Sequence, residues 1–501
     1  MARGKKNDAG NGAPVVVTGT AVASPYDHHA NEYESTPPPA SGGGTTTGGG
    51  EKQATRCRDP LFAILLYANV IAIATVSAIY GSSALTTAID EAAGEYNYSG
   101  YMYATFSLGA IAIVLTAITL PIMMAIPTAL IKCSLLMMLV LSGVMAAFMF
   151  VSGSVIGAIF GLIFFLITIC YTYCVWSRIP FASVNLLTAC TAIRKNAGVV
   201  FASFVFVCIA FGWTLLWALA LTGLWDRVVS SEVVEVGGYS YTQSTANYGY
   251  LFLLLLSYFF THQVIQNTTH VTVAGTVGSW WFAPDDASGC CSAGMVGSLF
   301  RAVTTSFGSI CFGSLLVAIV QTLKALVNSA RNGDNQILVC IADCILSCIE
   351  SLLEYFNKWA FIYVGLYGYG YIEAGRNVIT LFKNRGWEAI IADDLVGNVF
   401  FILSLCVGGL CAAIGYGIGE SDPQGWFENS PAPDYDSSIV AGLGFLAGLV
   451  LSAILYSSIA SAVNTVIVCF AEAPAEFEAN HPELSRKMRE TWLAFYPDCG
   501  A

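Results

Sequence analysis

The chain has 501 residues, of which 56% are hydrophobic and only 11% charged, and its formal net charge is −12. A soluble domain carries about 25% charged residues, so these proportions exclude an ordinary globular protein and describe a chain that crosses a membrane many times. The acidic balance excludes a nucleic-acid binder, which needs a basic footprint.

Residues 1–55 are a separate material. The stretch TPPPASGGGTTTGGG is rich in Gly, Pro and Thr and poor in large apolar side chains. It cannot bury enough surface to offset chain entropy, so this tail is expected to be disordered. The first apolar run begins near Leu61, too far in for a cleavable signal peptide, and reads as an uncleaved signal anchor.

Runs long enough to span need about 20 apolar residues. They fall near 61–80, 104–126, 129–151, 155–176, 198–224, 248–274, 305–323, 355–373, 395–418 and 438–468. The expected fold is therefore all-α, a polytopic membrane protein of about ten transmembrane helices. It divides into the tail 1–55, a membrane domain 56–470 and a C-terminal tail 471–501. Apolar sequence resumes already at Gln336. A single helix from there to Ala374 would reach roughly 57 Å, about twice the hydrocarbon thickness. Residues 337–353 thus read as a helical extension or an interfacial helix leading into the eighth span.

Lys and Arg set the orientation. With a cytosolic N-terminus, seventeen of the 21 basic residues lie inside and only Arg227, Lys324 and Arg331 outside, with Lys358 in the eighth span. Both termini are expected in the cytosol. The 81–103 loop agrees: it holds Asp90, Glu91 and Glu95, no basic residue, and the sequon Asn97-Tyr98-Ser99, a glycosylation acceptor. A second sequon at Asn267 falls inside a span, beyond the reach of that machinery. Sixteen cysteines are present, but none lies in the 81–103, 226–247 or 419–437 loops, so no extracellular disulfide framework is expected. Cys340, Cys344 and Cys348 recur at helical spacing without a neighbouring His, which fits packing better than zinc. The pair Cys290-Cys291 is a candidate for palmitoylation.

Nothing resembles an enzyme site, and no metal or cofactor motif is visible. The informative residues are polar and aromatic groups within spans. In the sixth, His262, Gln266 and His270 recur at i, i+4 and i+8, with Gln263 and Asn267 on the adjacent stripe. Polar groups at that depth face other helices or a wet cavity. Trp213 and Trp217 share a face of the fifth span, either as core packing or as part of a site. Tyr363, Tyr367 and Tyr371 repeat every four residues in the eighth, with Tyr371 placed as an interfacial belt residue. Asp343, Glu350, Glu354 and Lys358 form one charged stripe, facing water or forming an intramembrane ladder.

Three segments, VIQNTTHVTVAGTVGSWWF, FGSICFGSLLVAIVQ and FNKWAFIYVGLYG, together with the closing CFAEAPAEFEANHPELSRKM, resemble the choline transporter-like protein family, on its protist, plant and fungal side. The resemblance covers roughly Arg58 to Met488. It implies ten spans with both termini cytosolic, choline and related amines as substrates, and residence at the plasma membrane and sometimes in mitochondria. The family-like positions are Asp59, Asn267, Thr272, Gly275, Gly308, Phe312, Gly313, Glu350, Asn357 and Tyr367-Gly368. On this reading the protein is not an enzyme but a facilitated, potential-driven transporter. Trp213, Trp217, Tyr363 and Tyr367 supply aromatic faces for the quaternary cation, and Gln263 or Asn267 takes the hydroxyl. His262 and Glu350 are the candidates for proton or ion coupling, should the protein be an amine/proton exchanger. A channel, and a non-transporting scaffold or lipid-interacting protein, are the rival classes.

Overall fold

The computed structural model describes residues 52–81, 86, 98–153, 155–236, 239–329, 336–385, 389–422, 425–427 and 430–494. The N-terminal tail up to Glu51, the Asn97 sequon, the loop 330–335 and the last residues from 495 lie outside that set.

Each apolar run is a helix because, in hydrocarbon, backbone N–H and C=O groups must be paired within their own segment. The spanning helices are α1 (Pro60–Val76, continued by a π turn Ser77–Gly81), α2 (Ser99–Ala125), α3 (Pro127–Val151) and α4 (Val155–Val175). A short amphipathic helix, α5 (Ile179–Lys195), precedes α6 (Gly198–Gly223). Then come α7 (Tyr248–Phe282), the short α8 (Ala293–Val303), α9 (Phe307–Ser329) and α10 (Gln336–Tyr367). The chain closes with α11 (Tyr371–Arg385), α12 (Ala389–Ser421), α13 (Asp436–Glu472), α14 (Pro474–Asn480) and α15 (Pro482–Leu493). Prolines at the starts of α1, α3, α5, α14 and α15 occupy the turn where a missing N–H does no harm.

The spans alternate in direction, which gives the bundle two ends. The capped end carries α5, α8, α11, α14 and α15. The hairpin end carries a feature that the all-helical reading lacks: β1 (Val229–Val236) pairs antiparallel with β2 (Tyr239–Ala246), in register from Val229 opposite Ala246 to Val236 opposite Tyr239. The cause is legible in hindsight. Val fills half of β1 and Tyr and Thr together half of β2, and Gly237-Gly238 separates them, a composition that favours a tight hairpin.

Among the described residues, nine helices are long and apolar enough to cross a membrane. The tenth, α10, is long enough but carries Asp343, Glu350, Glu354 and Lys358. It is continuous for 32 residues, so 337–353 extend the span itself. Its charged stripe meets α9. Lys324 Nζ lies 2.8 Å from Glu350, Asn328 Nδ2 donates to Asp343 at 3.1 Å, and Gln321 Nε2 donates to Glu354 at 3.4 Å. The stripe is a ladder between helices.

One expectation is corrected here. Tyr371 is not a belt residue. The helix stops at Tyr367, Gly368 takes φ +77°, and α11 restarts at Tyr371. A positive φ of that size suits only glycine without strain. The reversal tucks the Tyr371 ring beneath the bundle, 3% exposed, where its hydroxyl donates to Asn357 Oδ1.

The centre of the bundle is α7, α9, α10 and α13. α7 and α10 touch backbone to backbone: a Cβ on Gly275 would stand 3.1 Å from Gly365 O, and one on Gly365 2.8 Å from Val271 O. Small residues permit such approach. At the capped end Trp281 stacks on Phe477 at 3.8 Å and donates to Ala473 O, which docks α14. His481 stacks on Trp280 at 4.0 Å, and its burial lowers the imidazole pKa. A strap, residues 53–59, crosses the same end. Gln53 N donates to Tyr367 O and Arg58 N to Thr305 O, both at 2.9 Å. Asp59, in the left-handed region at φ 48°, accepts from Ser309 Oγ at 2.6 Å and from Tyr371 N at 3.3 Å.

Candidate functional site

The site is built on the middle of α7. With 3.6 residues per turn, its polar stretch divides between two faces. Gln263, Asn267 and His270 look into a cavity of about 290 Å³ between α7, α9, α10 and α13. His262 and Thr269 look into a neighbouring crevice, and Gln266 borders both. The cavity is completed by Glu354, Asn357 and Lys358 from α10, by Val317 from α9, and by Ser457, Ala460, Ser461 and Asn464 from α13.

Hydrogen bonds across helices fix the walls. His270 Nε2 lies 2.9 Å from Lys358 O and Nδ1 lies 2.7 Å from Ser461 Oγ. A carbonyl can only accept, so the ring proton sits on Nε2. In the neutral ring Nδ1 then accepts from the Ser461 hydroxyl. One imidazole thereby joins three helices. Asn267 Nδ2 donates to Ser314 Oγ at 2.9 Å, and Asn357 Nδ2 donates to Gly313 O at 2.9 Å. One fully buried atom on this wall is left over. Asn464 is 2% exposed, and its Oδ1 has no hydrogen-bond donor among the described residues. A buried acceptor without a donor costs about 1–3 kcal/mol, so its placement on the cavity wall asks for a ligand donor or water.

Two aromatic rings stand next to the cavity-lining residues of α10 without lining the cavity themselves. Lys358 Nζ stands 6.0 Å from the Tyr355 ring centre and 5.6 Å from that of Trp359. An ammonium over an aromatic face is attracted by the ring quadrupole. The wall thus combines amides and hydroxyls with one carboxylate, Glu354, and one ammonium, Lys358, which is chemistry for holding a small polar solute.

The residues singled out from the sequence fall in several places. Gln263, which is 9% exposed, and Asn267 are on the cavity wall. His262 faces the crevice. Trp213 and Trp217 belong to a separate cluster toward the hairpin end, with Ile73 and Leu254. There Trp217 Nε1 donates to Leu254 O at 2.8 Å. Tyr363 and Tyr367 are at the other end: both hydroxyls donate to Glu472, and their rings meet Tyr369 at 6.3 and 6.1 Å. Leu254 and Gly275, which mark the two groups along α7, are roughly 31 Å apart at 1.5 Å per residue. No single small cation touches both, so the structure does not bring the four aromatics into one site. Glu350 is engaged with Lys324 on α9 rather than with the cavity.

Sequence reading passed over Asn464, Ser461, Tyr355, Trp359 and Glu472. The signal existed in SSIASAVNT, where Ser457, Ser461 and Asn464 sit at i, i+4 and i+7, one helical face. Several family-like positions prove to be joints: Phe312 stacks on Phe62 at 4.2 Å, and Gly308 lies so near the strap that a Cβ would meet Asp59 O at 2.4 Å.

Comparison with known proteins agrees with this architecture. A family model described as plasma-membrane choline transporter matches residues 159–475. Protein PNS1 of Mycosarcoma maydis is 30% identical over 453 residues, 87% of this chain and 83% of the relative. A CTL-like protein of Dictyostelium discoideum is 32% identical over 324 residues, 63% of this chain and 53% of the relative. Protein PNS1 of Gibberella zeae is 29% identical over 329 residues, 63% and 59% of the two chains. With the family model spanning more than half of its length and the cavity residues of α7, α9, α10 and α13 all inside the matched stretch, the chain belongs to the plasma-membrane choline transporter family of multi-pass membrane proteins.

Proposed function

We propose that the chain carries choline or a closely related organic cation across the membrane through the cavity between α7, α9, α10 and α13. The observation that supports this most is an amide- and hydroxyl-lined cavity with the Glu354 carboxylate on its wall and two rings, Tyr355 and Trp359, next to its lining residues on α10. A quaternary nitrogen has no N–H to donate, so aromatic faces are the recognition it can use. Its hydroxyl is a donor, and Asn464 Oδ1 is a buried acceptor facing the same space. The tyrosines clasping Glu472 close the capped end.

The capped end, which gathers Arg58, Arg178, Arg194, Lys195, Arg301, Arg376 and Lys383, faces the cytosol on this reading, at the plasma membrane, with both termini inside. Transport of a monovalent cation then needs no partner ion. The membrane potential supplies about 2.3 kcal/mol per 100 mV, which supports roughly fortyfold accumulation. The test is uptake of labelled choline, ethanolamine and thiamine derivatives into proteoliposomes under an imposed potential. Sodium-independent, saturable choline uptake that collapses when the potential is clamped at zero is the expected result. Uptake that survives the clamp but needs a pH gradient would replace it with amine/proton exchange, with Glu354 on the cavity wall as the first residue to examine. A glycan on Asn97 and a C-terminal tag shielded in intact cells test the orientation.

A further inference from the structure

Between the cavity and the capped end stands a clasp of side chains: Tyr363 and Tyr367 on α10 both donate to Glu472 on α13. The tyrosines lie five and nine residues beyond Lys358, and Glu472 lies eight beyond Asn464. At 1.5 Å per residue the clasp is roughly 8–14 Å from the cavity wall toward the capped end. The strap, residues 53–59, reaches the same helix end from outside. Its residues Ala54 to Cys57 are exposed, so it runs over the surface rather than through the packing. Tyr367 is therefore held twice, by α13 through its hydroxyl and by Gln53 N through its carbonyl. The far end of the strap is fixed to α9 and α11, where Arg58 N donates to Thr305 O and Asp59 accepts from Ser309 Oγ and Tyr371 N. Two features oppose this closed arrangement. Asp59 sits at φ 48°, a conformation that a residue with a side chain keeps only when its surroundings fix it. Arg58 Nε is buried with no hydrogen-bond acceptor among the described residues, and a buried donor left unpaired is costly. The bonds of the strap hold it down, while a strained residue and an unpaired donor favour its release.

We propose that the strap is a releasable latch on this closure: lifting it frees the end of α10 to part from α13 and opens the cavity toward the capped end. The contact that matters most is Gln53 N to Tyr367 O, because Tyr367 is the last residue of α10 before the turn at Gly368. With the strap down, that end cannot swing without α9, to which Arg58 and Asp59 fasten it. α11 hangs from the same carboxylate through Tyr371 N, so opening is a joint movement of the strap, the end of α10 and α11. That the opening lets a solute through rests on the transport reading above; the hold of the strap on Tyr367 does not.

The experiment reads the clasp without relying on transport. Cys469 lies three residues before Glu472 on α13 and is 0% exposed, so a maleimide reaches it only when the packing around the clasp opens. Full-length protein in nanodiscs is treated with N-ethylmaleimide, and modification of each cysteine is followed by mass spectrometry. Gln53→Pro removes the N–H given to Tyr367. Asp59→Gly suits the backbone at φ 48° and removes the carboxylate that holds Ser309 and Tyr371. Each should raise the rate at Cys469 at least fivefold, while Cys190 in α5 and Cys411 in α12, equally buried, stay within twofold. An unchanged rate at Cys469 in either variant overturns the latch. A rise at all three cysteines together overturns it as well, because the strap is then a general fastening of the fold. Faster modification of Cys469 alone, in a protein that takes up no choline, overturns the transport reading and leaves the latch standing.

Discussion

The helices α4 and α7 are both long, both apolar, and opposite in what they do with their polar groups. α4 buries only Thr168, Thr172 and Val175, and its hydroxyls turn back on their own helix: Thr168 donates to Phe164 O and Thr172 to Thr168 O. Such bonds satisfy a polar atom without engaging any neighbour. α7 buries an unbroken run from Val271 to Gly278 and sends His270 to α10 and α13 and Asn267 to α9. Hydrophobicity places both helices in the membrane. The direction of the side-chain hydrogen bonds separates the helix that fills space from the helix that builds the site.

The sharpest way to break this contrast is His270→Leu. It removes two cross-helix bonds and strands the Ser461 hydroxyl, at about 1–3 kcal/mol. Thermal denaturation in detergent should shift downward, and choline uptake should fall at least tenfold; an unchanged midpoint with unchanged uptake would put α7 on a par with α4. Next in size is Trp359→Leu, which removes one of the two rings that Lys358 rests on beside the cavity. A desolvated cation–π contact contributes up to about 2 kcal/mol, so the choline concentration at half-maximal uptake should rise about tenfold. Trp359→Phe, which keeps a π face, should raise it less. Asn464→Leu sharpens the comparison by ligand: about fivefold weaker choline, from one net hydrogen bond of about 1 kcal/mol, with tetramethylammonium unaffected. Equal loss for both cations would remove Asn464 from hydroxyl recognition. The smallest effects are expected outside the cavity. Trp213→Leu and Trp217→Leu should leave affinity within twofold, as should Phe164→Ala on α4, where the ring is 60% exposed; a tenfold loss at either tryptophan would move the cation site to the hairpin end.

Much of the fold was legible because hydrocarbon imposes it. Apolar runs have to be helices, and the run lengths locate them, which is why, among the described residues, nine spans emerge where periodicity and hydropathy place them. The eighth was harder: its charges belong to α9 as much as to itself, through Lys324 and Glu350, and a pairing between helices leaves no mark in either alone. The polar stripe of α7 announced a cavity, and Gln263 and Asn267 do line one. The aromatic partners were not legible. Spacing of four residues put Trp213 with Trp217 and Tyr363 with Tyr367 correctly on shared faces, but no local rule says at which depth two helices cross. The Gly275–Gly365 contact sets that depth, and it brings Tyr355 and Trp359, rather than Tyr363 and Tyr367, level with the amides. Tyr371 was misplaced for a related reason, since the turn at Gly368 reverses the chain before the periodicity can continue.

The Asp59 joint also bears on the order in which this protein is completed. α1 is made before every other spanning helix among the described residues, yet its anchoring carboxylate waits for Ser309 and for the Tyr371 amide, 250 and 312 positions further along. At about 5–20 residues per second of synthesis, the later partner appears roughly 15–60 s after Asp59 itself. Insertion and locking are therefore separate events for the same helix. Through most of translation α1 is in the bilayer without its N-terminal fastening, and chains that stop before Tyr371 never acquire it. A quality-control factor that senses the exposed strap would distinguish a finished transporter from an unfinished one by this joint alone.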